Sequence, residues 1–79
     1  MERFTGKVAW FNDSRGYGFI ERDDGGKDLF AHYTNIQQEG FKTLVAGSKV
    51  SFSVGANDHG PQAEDIVVLE VPNPEDVGA

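Results

Sequence analysis

The stretch SRGYGFIERDDGGKDLFAHY, residues 14–33, decides how this chain folds. It packs four aromatic rings and a histidine among glycines and charges. GYGFIER (16–22) alternates with the period of two that a half-buried strand requires, so Tyr17 and Phe19 share one face and Gly18 and Ile20 the other. DDGG (23–26) reads as a turn, because Asp and Gly tolerate the positive φ of tight hairpins. KDLFAH (27–32) returns as a strand, with Leu29 and Ala31 on one face and Phe30 and His32 on the other. Paired as a hairpin, the two strands bury small and aliphatic side chains and turn Tyr17, Phe19, Phe30 and His32 outward together. A contiguous exposed aromatic patch is rare on a protein without a binding role.

The flanking sequence supplies more strands. FTGKVAWFN (4–12) is rich in rings and β-branched residues and ends in a polar cluster, which predicts a first strand. KVSFSV (49–54) alternates cleanly and predicts a fourth, with Val50, Phe52 and Val54 inward; Phe4 is expected to close the barrel bottom. GANDHGP (55–61) reads as a turn, and 62–71 as a fifth strand whose Ile-Val-Val-Leu run suggests burial on both faces. Residues 33–48 form a long connection with one short helical turn around 34–38, pinned by Ile36, Phe41, Leu44 and Val45. The sequence predicts one domain over residues 1–71 and a frayed, acidic, proline-containing tail over 72–79. Five short strands with one long connection between the third and fourth indicate an all-β fold, the five-stranded antiparallel OB barrel, whose second and third strands form the usual ligand face.

Composition narrows the function. A chain of 79 residues is one domain at most and buries only about 60% of its unfolded surface. It has no cysteine, so neither a disulfide nor a thiolate zinc site is available. The two histidines alone make a poor metal site, and no cofactor is expected. The adjacent Asp23 and Asp24 are expected to be solvated turn residues, and Gly16 to Gly18 are followed by no Gly-Lys-Ser/Thr run, so no enzyme reading stands. No apolar stretch approaches membrane-spanning length, and residues 1–3 open no signal peptide, so the expected location is the cytoplasm. The net charge of −6 argues by itself against a nucleic-acid partner. The charge is uneven, however. Residues 1–33 carry five bases and six acids, whereas 34–79 carry two bases and seven acids. The ring-rich segment is thus nearly neutral. Flat rings on a barrel's outer face suit stacking on nucleobases, with Arg15 and Lys27 at the patch edges to meet phosphates. A protein-binding OB module that turns its aromatic face to a partner protein stays open as the alternative.

RGYGFI (15–20) resembles the RNP1 motif and DLFAHY (28–33) resembles RNP2, in the order and spacing of the bacterial cold shock family. GKVAWFND (6–13), EGFKTL (39–44) and GPQAEDI (60–66) resemble other blocks of that family, so the resemblance covers about residues 6–69. The FAHY form and the acidic extension are similar to its stationary-phase branch. An RRM also carries RNP motifs, but with two helices and with RNP2 first. The resemblance implies an OB barrel that binds single-stranded RNA and single-stranded DNA with little sequence preference, pyrimidine-rich strands included. It implies base stacking at Trp10, Phe19, Phe30, His32 and Phe41, with Tyr17 and Tyr33 at further ring positions and Phe11 at the platform's edge. Arg15 matches a basic position, and Lys42, Asp28 and Gln62 match positions that contact backbone or base edges; Lys7, Asn12 and His59 complete the expected site. Two departures lower the positive charge of this face: Ala9 stands where a lysine is usual before the Trp, and His59 where a basic residue is usual before Gly-Pro. Stacking is therefore expected to carry more of the affinity. Both a monomer and a homodimer formed by strand exchange across the long connection fit the sequence.

Overall fold

In the computed structural model, which describes residues 2–38, 40, 42–58 and 60–72, five strands close into a barrel in the order β1-β2-β3-β5-β4. They are β1 (Phe4–Asn12), β2 (Tyr17–Arg22), β3 (Leu29–His32), β4 (Lys49–Asn57) and β5 (Gly60–Glu70). This is the expected OB barrel with one amendment. Four seams are antiparallel, but β3 and β5 run parallel, paired at Phe30 and Gln62. The reason is parity: an odd number of strands in a closed ring cannot alternate direction all the way round. The parallel seam is short, and an isolated bridge from Ile36 to Ile66 extends it.

The core follows the alternation of the strands. Val8, Ile20, Leu29, Ala31, Val50, Phe52, Ala63 and Ile66 are buried, and Phe4 stacks on Phe52 at 6.4 Å between centroids. Val54 keeps the inward parity opposite buried Ala63 but is itself exposed. The Ile-Val-Val-Leu run is not buried on both faces. Ile66 is fully buried, whereas Val67 and Leu69 are exposed, because no further layer covers the outside of β5 there. The β4–β5 turn is also shorter than the sequence suggests, since β4 continues to Asn57 and β5 begins at Gly60.

One irregularity in β1 sets up the outer face. Val8 pairs with Ile20 and Trp10 with Phe19, so Ala9 is an extra residue, a β-bulge. Without it Trp10 would share the inward parity of Gly6 and Val8, both buried. With it Trp10 turns outward, and Phe11 turns under the sheet against the core. The long connection docks on this bulge: Val8 N–H donates to Ser48 O at 3.0 Å, and Gly47 N–H to Val8 O at 2.8 Å. Within it a 3-10 turn over Tyr33–Asn35 replaces the helical turn expected at 34–38. Ile36 and Leu44 are buried, but Val45, expected to help, is 53% exposed. Phe41 lies outside the described residues, as do His59 and residues 73–79 of the expected tail.

The β2–β3 hairpin is tied rather than merely solvated at Asp23 and Asp24. Thr5 Oγ1 donates to Asp23 Oδ2 at 2.8 Å, and the Arg22 guanidinium donates to both oxygens of Asp24, at 3.0 and 2.6 Å. Those Arg22 bonds, and then the Gly26 N–H, hold the Asp24 carboxyl below its ordinary pKa. A carboxylate depressed in the folded state adds stability above the ordinary carboxylate range and loses it as pH falls through the folded-state value. Asp24→Asn is therefore expected to lower the melting temperature at pH 7. The gap should close as the pH drops below about 4, read from paired thermal melts. A gap constant across the acid range would show that the charge on Asp24 contributes nothing.

Candidate nucleic-acid interface

The register of the hairpin places the outward rings side by side. Tyr17 pairs with His32 and Phe19 with Phe30, while the inward partners are Gly18 with Ala31 and Ile20 with Leu29. The bulge adds Trp10 beside Phe19. Among the described residues six rings result, each touching the next. Trp10 lies 5.8 Å from Tyr17 and 5.6 Å from Phe19 between centroids. Tyr17 stacks on Phe30 at 5.7 Å, Phe19 meets Phe30 edge-on at 5.9 Å, and Phe30 stacks on His32 at 6.2 Å. His32 and Tyr33 close the row at 4.6 Å. Its two ends are the most open, Trp10 at 44% and Tyr33 at 46% exposure. The arrangement supplies a row of π faces at the surface, all but Tyr33 held by strands.

Two local devices fix its far end. His32 caps the 3-10 turn, with Nδ1 accepting from Thr34 N–H at 3.4 Å and 2.9 Å from Thr34 Oγ1, which orients the imidazole. Gly16 has φ +77, and a Cβ there would come within 2.7 Å of Tyr33 Cδ1, so the glycine lets Tyr33 lie flat on the β1–β2 turn. Beyond Tyr33 an open groove of about 430 Å³ is lined by Asp13, Arg15, Gly16, Gly40 and Lys42. Arg15 and Lys42, far apart in sequence, thus converge at one end of the rings. Thr43 Oγ1 donates to Asp13 Oδ1 and ties the long connection to this turn.

The remaining expected site residues fall in different places. Lys7 is exposed on the outer face of β1, paired with Glu21, and Asp28 is exposed just before β3. Asn12 holds the β1–β2 turn: its Oδ1 accepts from Arg15 N–H at 3.0 Å, and its carbonyl from Gly16 N–H at 2.7 Å. Phe11, expected at the platform's edge, packs beneath the sheet instead, because the bulge that turns Trp10 out turns Phe11 in. Gln62 adjoins Phe30 across the parallel seam. The sequence reading missed the side chains that hold it. Asn57 Nδ2 donates to Gln62 Oε1 at 2.6 Å, and Gln62 Nε2 donates to Glu64 Oε2 at 2.8 Å. Glu64 was findable, since it lies two residues beyond Gln62 on the same face of a strand. Asn57 was hidden by reading its segment as a turn.

Comparison with known proteins identifies the family of the chain. The sequence profile of the 'Cold-shock' DNA-binding domain matches residues 4–69. Cold shock protein CspV of Vibrio cholerae is 51% identical over 67 residues, which are 85% of this chain and 96% of that protein. Cold shock protein CspB of Bacillus caldolyticus is 56% identical over 64 residues, 81% of this chain and 96% of that one. Cold shock-like protein CspE of Escherichia coli K12 is 45% identical over 69 residues, 87% of this chain and 100% of that one. Among solved structures, drosophila Unr CSD456 superposes with a TM-score of 0.72 at 26% identity, over 91% of this chain and 28% of that chain. The profile runs from the first residue of β1 almost to the end of β5, and the relatives match over nearly their whole length: this chain belongs to the cold-shock domain family of nucleic-acid-binding proteins.

Proposed function

We propose that the protein binds single-stranded RNA and DNA by stacking unpaired bases on Trp10, Tyr17, Phe19, Phe30, His32 and Tyr33. The observation that carries this reading is the unbroken row of six outward rings among the described residues, on β1, β2, β3 and the 3-10 turn that follows. In this reading Lys7, Arg15 and Lys42 meet phosphates, and Asp28 and Gln62 meet base edges. Phe41 and His59 join the site on the family resemblance alone, and Phe11 and Asn12 support it by shaping β1 and its turn.

Magnitudes decide what such a surface accomplishes. Stacking is worth about 1–3 kcal/mol per base, and immobilising protein and strand removes much of the sum. A dissociation constant from about micromolar to tens of nanomolar follows, about −8 to −10 kcal/mol. A base-pair step in a duplex is worth about 1.4 kcal/mol, so opening six pairs costs about what binding returns. The protein captures transiently unpaired strands, melts weak hairpins when abundant and leaves long duplexes closed. It is a binding protein that acts as an ATP-independent nucleic-acid chaperone, with effects on transcription, translation or replication following from that. No helix among the described residues is long and apolar enough to cross a membrane, and we place the protein in the cytoplasm.

Trp10 is the only tryptophan, so its fluorescence reports one end of the ring row. Titration with a seven-nucleotide oligothymidine is expected to quench it with a dissociation constant in that range. The salt slope should be shallow, about −0.7 per phosphate contact for two or three contacts. No quenching at tens of micromolar strand would sink the reading and favour a partner protein on the aromatic face.

A further inference from the structure

The outer face of β5 carries a polar cluster next to the rings that stacking does not explain. Gln62 adjoins Phe30 and is braced from two sides, by Asn57 at its oxygen and Glu64 at its nitrogen. The two bonds fix which way round the amide sits. Glu64 in turn fills a place kept for it. Gly55 faces Gln62 across the β4–β5 ladder, and a Cβ on Gly55 would fall 2.2 Å from the carboxyl carbon of Glu64 and 2.2 Å from one of its oxygens. The carboxylate therefore lies over bare backbone, two strand spacings or about 10 Å from the Phe30 backbone. A base that stacks on Phe30 with its pairing edge toward β5 points that edge at Gln62 and, one strand beyond it, at this carboxylate. One amide N–H occupies only one of the carboxylate's roughly four acceptor positions, so capacity for a further donor remains.

From this geometry we infer that Glu64 sets a base preference at the Phe30 position, favouring bases with an exocyclic amine on the pairing edge over thymine and uracil. The inference rests on the stacking proposed above. Cytosine presents its N4 amine there, and guanine an N–H and an amine side by side, all donors to a carboxylate. Thymine and uracil present one N–H between two carbonyl oxygens, and those oxygens are repelled by the negative charge. The amide of Gln62 does not discriminate by itself, since an amide both donates and accepts. The carboxylate breaks that symmetry twice, by holding the amide in one orientation and by adding an acceptor.

The test compares oligodeoxycytidine and oligothymidine heptamers by Trp10 fluorescence on the full chain and two variants. Glu64→Gln keeps the shape and removes the charge. Gly55→Ala keeps the charge and pushes the carboxylate aside, which a flexible side chain allows. Both are expected to shift the ratio of cytidine to thymidine affinity toward thymidine, Glu64→Gln by about fivefold. Because the readout is a ratio between two strands, a general loss of stability does not move it. A ratio unchanged in both variants overturns the inference and leaves strand binding standing. No response of the unaltered chain to either heptamer removes the binding reading itself, and the inference with it.

Discussion

Phe30→Ala is expected to weaken oligothymidine binding by roughly 30- to 150-fold, the upper part of the range for losing one stacked base. The upper part applies because Phe30 is the hub of the row. Its ring lies within 5.7–6.2 Å of Tyr17, Phe19 and His32. Truncating it removes one stacking surface and leaves Tyr17, Phe19 and His32 without the ring that holds their angles. The fold should register the change far less. Phe30 projects from the outer face of β3, while Leu29 and Ala31 on either side of it fill the core. A fall of a few degrees in melting temperature is expected, against a large loss of affinity. Val67→Ala serves as the control, since Val67 is an exposed apolar residue on β5 away from the rings, and it should leave the dissociation constant unchanged. Equal weakening in both variants would mean that the strand does not lie on the β2–β3 hairpin.

How much of this was legible in the sequence follows from which interactions are local. The hairpin was readable because its evidence is a period of two within a few residues, and Tyr17, Phe19, Phe30 and His32 do share a face. The positions of Trp10 and Phe11 were not derivable from alternation, because the Ala9 bulge inverts the parity after Val8. The residues 4–12 contain no glycine or proline at that point to mark it. The bulge is enforced from elsewhere, by Gly47 and Ser48 bonding both polar groups of Val8. The same holds for the groove: Arg15 and Lys42 meet only because Ile36 and Leu44 anchor the connection in the core. The apolar run at 66–69 misled for the opposite reason. Local hydrophobicity predicts burial, but burial needs a covering layer, and the outside of β5 has none at Val67 and Leu69. Local pattern thus predicted elements and faces, and long-range contacts decided where the pattern breaks.

The largest effect on stability is expected from Gly18→Ala, the mildest substitution chemically. Gly18 faces inward on β2 opposite Phe11, and a Cβ there would fall 2.1 Å from the Trp10 carbonyl oxygen, 2.7 Å from Phe11 Cα and 3.0 Å from Phe11 Cδ1. The two nearest atoms are backbone and sit just after the bulge, so no rotamer change relieves the clash and β1 must move off β2. Overpacking that side chains can absorb costs about 1–3 kcal/mol. A backbone displacement at a barrel seam should cost at least the top of that range, and a domain this small seldom holds more than about 3–5 kcal/mol in reserve. Gly18→Ala should therefore be largely unfolded at room temperature. Two other glycines separate the causes. Gly25→Ala meets nothing within 4 Å at φ +83, so only the left-handed backbone counts against it, about 1–2 kcal/mol. Gly16→Ala adds to a similar strain a 2.7 Å contact with Tyr33, a side chain that can turn away, so it should lie between the two and weaken strand binding by tilting that ring. Urea denaturation followed by circular dichroism gives the order directly. If Gly18→Ala proves as stable as Gly25→Ala, β1 and β2 do not approach as closely as the bulge requires, and the account of how Trp10 reaches the outer face fails with it.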